Sequence, residues 1–139
     1  MRQCKVTLIV CLTLMVVLLT PPLTTSRYGV IKEAQAVSRT IVLQGTFPTW
    51  NGSNPTITVT QSDSITMQLS NPDGATHRFV VSVDNGAPTN TPNCTIEKCS
   101  PTFNTPIAYP FNVDFSAGSY KYYCAVHGSM MTGLVTVSP

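Results

Sequence analysis

The chain has 139 residues with eight basic and six acidic side chains, which gives a formal net charge of +2. From Val37 onward, four basic residues stand against five acidic ones, a net charge of −1. Since this balance provides no basic stripe, we exclude nucleic acid as a partner.

The first residues predict an export leader. Arg2 and Lys5 give a positive start to a mostly apolar run over residues 6–19. This run is shorter than the ~20 residues that a membrane-spanning helix needs, and its plan is typical of a secretory signal. The Ala-Gln-Ala at residues 34–36 provides a cleavage site before Val37, although it lies farther from the apolar run than is usual.

We expect residues 1–36 to be a signal peptide, with an uncleaved N-terminal membrane anchor as the alternative. Residues 37–139 would then form one domain with one modest core, since a chain of about 100 residues suffices for no more. The domain would be exported to the periplasm, the cell envelope or the extracellular side of a membrane. The anchor alternative would add membrane association through the N-terminal segment.

Beyond the leader, short alternations of apolar and polar residues predict β-strands. Clusters of Asn, Pro, Gly and Ser separate these stretches and are typical of turns. Seven short strands with antiparallel-style alternation predict an all-β domain, a Greek-key β-sandwich or barrel. The predicted strands cover residues 40–44, 56–60, 64–70, 77–83, 110–115, 120–124 and 133–137.

Three cysteines lie in the predicted domain, an odd number for an oxidising compartment. Cys94 and Cys99 are close together in a loop-like stretch, and we expect them to form a disulfide; two reduced surface thiols are the alternative. Cys124 is then unpaired. Because a free thiol outside the cytosol is a liability unless something holds it, we expect a bound metal at Cys124.

Soft donor atoms cluster around this cysteine. Cys124 ends a predicted strand, and His127, Met130 and Met131 follow in the loop before the next strand. The second of the chain's two histidines, His77, begins another predicted strand, whose end can lie beside this loop in a sandwich.

Thiolate, imidazole and thioether together suit copper, since the soft donors hold Cu(I) and imidazole holds Cu(II). The sequence therefore predicts a copper site built from His77, Cys124, His127 and one methionine. Each residue alone has an ordinary explanation, as a surface histidine, a buried cysteine or a methionine that fills the core. The combination at these spacings favours copper.

Three segments resemble the cupredoxins of the plastocyanin and amicyanin type: residues 55–65 (PTITVTQSDSI), 71–79 (NPDGATHRF) and 116–137 (SAGSYKYYCAVHGSMMTGLVTV). The resemblance spans nearly all of the predicted domain. It implies a small β-sandwich of the cupredoxin type that binds one type 1 (blue) copper ion and passes single electrons.

The resemblance also implies which residues bind the metal. His77, Cys124 and His127 match the equatorial ligands of the family. The Met-x-Gly context of the axial ligand favours Met131, whereas one of the spacings common in relatives favours Met130 as the alternative.

One position departs from the family pattern. Relatives often have an asparagine after the first histidine, where it braces the ligand loop, but this chain has Arg78. Asn71, on the other side of the turn, is a candidate for that role. Trp50 lies in a loop-like stretch, and we expect it to serve packing.

These features imply a mononuclear one-electron carrier and not an enzyme, because no histidine is left for a second copper and no equatorial position for a substrate. The resemblance implies that redox donor and acceptor proteins would dock transiently near His127, where Ala125, Val126, Gly128 and Met130 would suit a docking patch. We expect a monomer. A copper carrier or storage protein without an electron-transfer role is the alternative.

Overall fold

The computed structural model describes residues 35–139. The predicted leader, residues 1–36, therefore lies almost wholly outside the described residues. Among those that are described, no helix is long and apolar enough to cross a membrane.

Residues 35–139 form two packed sheets and contain no helix, which confirms the predicted all-β sandwich. One sheet has four strands in the order β2-β1-β4-β7, and the other has five in the order β3-β9-β8-β5-β6. The strands are β1 (Ser38–Thr46), β2 (Thr49–Trp50), β3 (Ile57–Thr60), β4 (Ser64–Ser70), β5 (Phe79–Ser82), β6 (Lys98–Cys99), β7 (Ile107–Asn112), β8 (Gly118–Cys124) and β9 (Gly128–Ser138).

Two strand pairs are parallel, which differs from the antiparallel arrangement expected from the alternation. β1 runs parallel to β4, with Ile41 opposite Met67, and β3 runs parallel to β9, with Val59 opposite Val137. Alternation along a strand fixes which side chains face the core, but it is the same for both strand directions. The direction of pairing therefore could not be predicted from the pattern.

Several strand boundaries also differ from the prediction. Strand β4 covers the predicted residues, whereas β7 begins at Ile107 and β9 at Gly128, three and five residues earlier than expected. His77 lies outside β5, in an isolated antiparallel bridge with Phe103. The two-residue strands β2 and β6 were not predicted, because two residues are too few to show a period.

The core lies between the sheets and follows the predicted alternation. In β8, the side chains of Tyr120, Tyr122 and Cys124 all enter this core, as their spacing predicts. Each large apolar side chain removed from water in this way stabilises the fold by about 1.5–3 kcal/mol. Cys124 belongs to the same core cluster, so the packing of the core fixes the end of β8 at this residue.

A buried carboxylate ties the β3–β4 turn to the start of β1. Asp63 accepts hydrogen bonds from the backbone N–H groups of Val37 (3.1 Å) and Thr60 (2.9 Å), and its Oδ2 lies 2.8 Å from Nε of Arg39. Burial alone would raise the pKa of Asp63, but the hydrogen bonds and the guanidinium hold that pKa below its ordinary value near 3.8.

We expect Asp63→Asn to lower the free energy of unfolding near neutral pH by about 2–4 kcal/mol, because it removes the charge that these donors stabilise. Since the folded pKa is depressed, this contribution is present above about pH 4 and is lost as the pH falls through the folded value. Urea unfolding at neutral and at acid pH should therefore show the two proteins converging in acid.

The control is Asp114→Asn, which removes the exposed partner of Lys98. An exposed ion pair contributes less than about 1 kcal/mol. Equal losses in the two variants would contradict the role given to Asp63.

Candidate metal centre

Backbone pairing at the end of β8 brings Cys124 and His127 together. Cys124 pairs with Phe79 on one side and with Gly128 on the other, so only three residues separate β8 from β9. Gly128 has a positive φ of 63°, a conformation that glycine adopts without steric cost. In this turn the His127 N–H donates to the Cys124 carbonyl (3.2 Å), and His127 Nδ1 lies 3.4 Å from Cys124 Sγ.

His77 reaches the same point from a different part of the chain. Its N–H donates to the carbonyl of Phe103 (2.9 Å) and its carbonyl accepts from the N–H of Phe103 (2.8 Å). These two bonds hold the backbone of His77 beside the end of β5. The imidazole is fully buried, and its Nδ1 lies 3.7 Å from Cys124 Sγ.

The structure thus brings together the three residues predicted as equatorial ligands. One ligand atom from each of His77, Cys124 and His127 lies within 4.8 Å of the others. A trigonal metal ion with bonds of about 2.0–2.3 Å would place sulfur and nitrogen about 3.5–3.8 Å apart. The observed separations of 3.4 and 3.7 Å therefore fit one shared ion.

The two methionines are distinguished by burial. The pairing register between β8 and β9 shifts between Tyr123 and Cys124, so the β9 residues between Gly128 and Thr132 form a bulge. From Met131 onward, buried and more exposed side chains alternate along β9. Met131 is 0% exposed and belongs to the same core as Cys124, whereas Met130 is 57% exposed. Burial therefore favours Met131 as the axial donor.

Trp50 packs in the core, as expected, but it also contacts the site. Its ring lies 5.6 Å from the His77 ring, and its Nε1–H donates to the carbonyl of Met131 (3.1 Å). Sequence reasoning missed this contact because Trp50 lies in a two-residue strand far from the ligands in sequence. The chain's single tryptophan beside a turn was the available signal.

Gly45 lies against the His77 ring. A β-carbon at this position would lie 2.8–2.9 Å from three ring atoms of His77, closer than carbon atoms approach in proteins. Glycine at this position is therefore required by the close approach of β1 to the imidazole.

Arg78 connects the site to the predicted disulfide, which the structure contains between Cys94 and Cys99. The Arg78 N–H donates to Cys124 Sγ (3.5 Å). Its guanidinium donates to the Ser100 carbonyl (3.2 Å) and to Cys94 Sγ (3.0 Å). Arg78 therefore braces the segment that follows the disulfide.

Asn71 braces the opposite side of the His77 turn. Its side-chain N–H groups donate to the carbonyls of Ala75 and Asn104. These bonds join the turn before His77 to the segment after Phe103, the residue that pairs with His77.

A carboxylate missed by sequence reasoning contacts His77. Asp73 Oδ1 lies 3.1 Å from His77 Nε2. Burial would raise the pKa of Asp73, but hydrogen bonds from Phe47, Ala75 and His77 lower it to about 2, so Asp73 is ionised at neutral pH. The burial of His127 lowers its pKa below the ordinary 6.5, and the nearby His77 lowers it further. The lower pKa favours the neutral imidazole, which is the form that binds metals.

A sequence model of the copper-binding proteins of the plastocyanin/azurin family matches residues 51–138. The chain belongs to this family. The predicted cupredoxin resemblance is therefore confirmed, and the donor set at the end of β8 fits the single type 1 copper ion that was predicted. The protein is a copper-binding electron carrier of this general class.

Solved structures show the same fold at low sequence identity. Auracyanin A, a blue copper protein from Chloroflexus aurantiacus, is 18% identical with a TM-score of 0.57 over 73% of this chain and 99% of its own. Auracyanin B is 16% identical with a TM-score of 0.55 over 77% and 92%. Fet3p, a multicopper oxidase that functions in iron import, is 19% identical with a TM-score of 0.50, and the match covers 73% of this chain but 23% of Fet3p. No curated protein sequence matches the chain.

We expect Gly45→Ala to weaken copper binding by at least about tenfold, because the added β-carbon displaces the His77 ring, and the partners that orient a metal-binding histidine typically contribute 10- to 100-fold. Titration of the purified apoprotein with copper measures the affinity. Gly86→Ala is the control, since its β-carbon would meet only the flexible end of the Asp84 side chain. An unchanged copper affinity in Gly45→Ala would contradict the close contact between Gly45 and the His77 ring.

Proposed function

We propose that this protein is an exported mononuclear type 1 copper protein that carries single electrons between redox partners. His77, Cys124 and His127 would supply the principal ligands of the ion, and Met131 would supply the fourth donor. The convergence of three donor atoms within 4.8 Å at the end of a packed sheet is the observation that supports this proposal most strongly. Copper bound there supplies one-electron exchange between Cu(I) and Cu(II).

The residues around the ligands suit a site whose geometry stays the same in both oxidation states. His77 is fixed by two backbone hydrogen bonds to Phe103, and Cys124 by strand pairing on both sides. The Arg78 N–H is positioned to donate to the thiolate sulfur. Because little has to move when charge changes, such a scaffold favours fast electron transfer.

We expect Cys124→Ser to abolish the intense visible band that a copper–thiolate bond produces, while the fold remains. Visible and EPR spectra of the copper-loaded proteins measure this, and far-UV circular dichroism checks the fold. A strong visible band retained in Cys124→Ser would contradict the ligand set.

Reversible one-electron cycling with copper retained distinguishes this function from copper storage. Cyclic voltammetry of the loaded protein should give a reversible wave at constant copper content. Release of copper on reduction would support a storage or delivery role instead.

We expect Met131→Leu to shift the reduction potential, because the axial ligand of such sites tunes it. Met130→Leu makes the same chemical change at an exposed side chain and should leave the potential unchanged. Voltammetry of both variants measures the difference. A shift in Met130→Leu alone would make Met130 the axial ligand.

Exposed apolar side chains lie near His127, the one proposed ligand that is not fully buried, either in space or in sequence. Val126 is 48% exposed and Phe47 is 47% exposed, and the Phe47 ring lies 5.0 Å from the His127 ring. Together with the exposed Met130, three residues after His127, these side chains make up the apolar patch through which we expect partners to dock. Ala125 is excluded from the patch, because it is buried against Val80 and Tyr123 in a second, smaller cluster.

We expect Val126→Glu to slow electron transfer to a redox partner by about tenfold or more without changing the visible spectrum, because a charge in the patch must be desolvated on docking. Stopped-flow transfer to a partner protein measures the rate. Leu134→Glu, a similarly exposed position on β9, is the control. Equal rates in wild type and Val126→Glu would contradict docking at this patch.

Export with cleavage before Val37 is also proposed. Cleavage there would turn the Val37 N–H, 3.1 Å from Asp63 Oδ1, into an ammonium group beside a buried carboxylate. The mass of the protein recovered from an exporting host tests this. A chain that begins at Val37 supports the proposal, and an intact leader contradicts it.

A further inference from the structure

The two ring nitrogens of His77 have different partners. Nδ1 lies 3.7 Å from Cys124 Sγ, and Nε2 lies 3.1 and 3.3 Å from the two carboxylate oxygens of Asp73. A neutral imidazole carries one N–H, which donates, and one bare nitrogen, which accepts or binds a metal. Since an ionised carboxylate only accepts, the N–H of His77 belongs at Nε2.

Asp73 is itself held in position. Its Oδ2 accepts from the N–H of Phe47 (2.8 Å), and its Oδ1 accepts from the N–H of Ala75 (3.0 Å). The first donor comes from the connection between β1 and β2 and the second from the turn before His77. The carboxylate therefore joins both segments to the imidazole.

The His77 ring has little freedom to turn away from this carboxylate. Gly45 lies against one part of the ring, and the rings of Trp50 and Phe103 lie 5.6 and 6.0 Å from it. The nearest cation in sequence, Arg78, directs its guanidinium to Ser100 and Cys94 instead. The charge of Asp73 is therefore not neutralised by Arg78.

We propose that Asp73 is a positioning residue of the metal centre: its carboxylate accepts the Nε2–H of His77, keeps Nδ1 bare and directed at the ion, and favours the more highly charged Cu(II). A carboxylate that accepts from a metal-binding histidine fixes the tautomer and makes the imidazole a stronger donor. Its negative charge also stabilises the oxidised ion more than the reduced ion. Asp73 thereby lowers the reduction potential of the site.

The inference rests on the proposed ligand set, so it needs one readout that requires copper and one that does not. The first compares wild type with Asp73→Asn, which keeps the shape of the side chain and removes its charge. Cu(II) affinity should fall about 10- to 100-fold. Cu(I) affinity should fall less, and each tenfold difference between the two losses raises the potential by about 59 mV.

Asp84→Asn is the matched control. Asp84 also accepts from a backbone N–H in a turn, that of Gly86, and lies beyond the opposite end of β5 from His77. It should leave affinity and potential unchanged. If Asp73→Asn keeps the potential and Cu(II) affinity of wild type, or if Asp84→Asn shifts them equally, the inference is overturned.

The second readout is the tautomer of His77 in the copper-free wild type, measured by long-range ¹H–¹⁵N NMR. The inference predicts the Nε2–H form, and a dominant Nδ1–H form would overturn it even if Asp73→Asn fails to fold. The two proposals fail separately. A wild-type protein that forms no blue copper site contradicts the proposed function, whereas a blue protein insensitive to Asp73→Asn contradicts only the role of Asp73.

Discussion

The metal centre depends on one constraint: the thiol of Cys124 must lie where two imidazoles can reach it. The pairing of Cys124 with both Phe79 and Gly128 sets its position between two strands of the five-stranded sheet. The same pairing closes the turn that returns His127 to the sulfur. The backbone pairing of His77 with Phe103 places His77 near the same sulfur. One histidine is therefore positioned by the local turn and the other by long-range packing.

A single segment of the chain contacts several of the proposed ligands. This segment runs from the end of β1 to β2. It places Gly45 and Trp50 against His77, and it places Phe47 against His127. Trp50 also holds the backbone of Met131. Because close-packed interiors transmit strain, we expect a change in this segment to affect several of the proposed ligands together. The opposite side of the site depends on Arg78, which links Cys124 to the disulfide-bonded segment.

Most of the predicted site residues lie close together in sequence, whereas His77 was predicted as the chain's second histidine and through the family resemblance. Cys124 and His127 are three residues apart at the end of an alternating strand, so their proximity follows from the turn between them. The choice of Met131 over Met130 followed from its glycine context and agrees with its burial. The alternation also identified the core and the all-β class.

The contacts made across the fold were not predictable from the pattern. Gly45 and Trp50 approach His77 only because β1 and β2 fold beside the end of β5. Asp73 lies four residues before His77, and its contact depends on the conformation of the turn between them. Neither alternation nor composition contains that information. The parallel pairing of β1 with β4 was missed for the same reason, since strand direction leaves no trace in which residues are apolar.

The most direct test of the central claim is X-ray absorption at the copper edge of the loaded protein. The account predicts one copper ion with two nitrogen ligands and one short sulfur ligand from Cys124, and loss of that short sulfur ligand in Cys124→Ser. A wild-type spectrum with only nitrogen and oxygen ligands would contradict it.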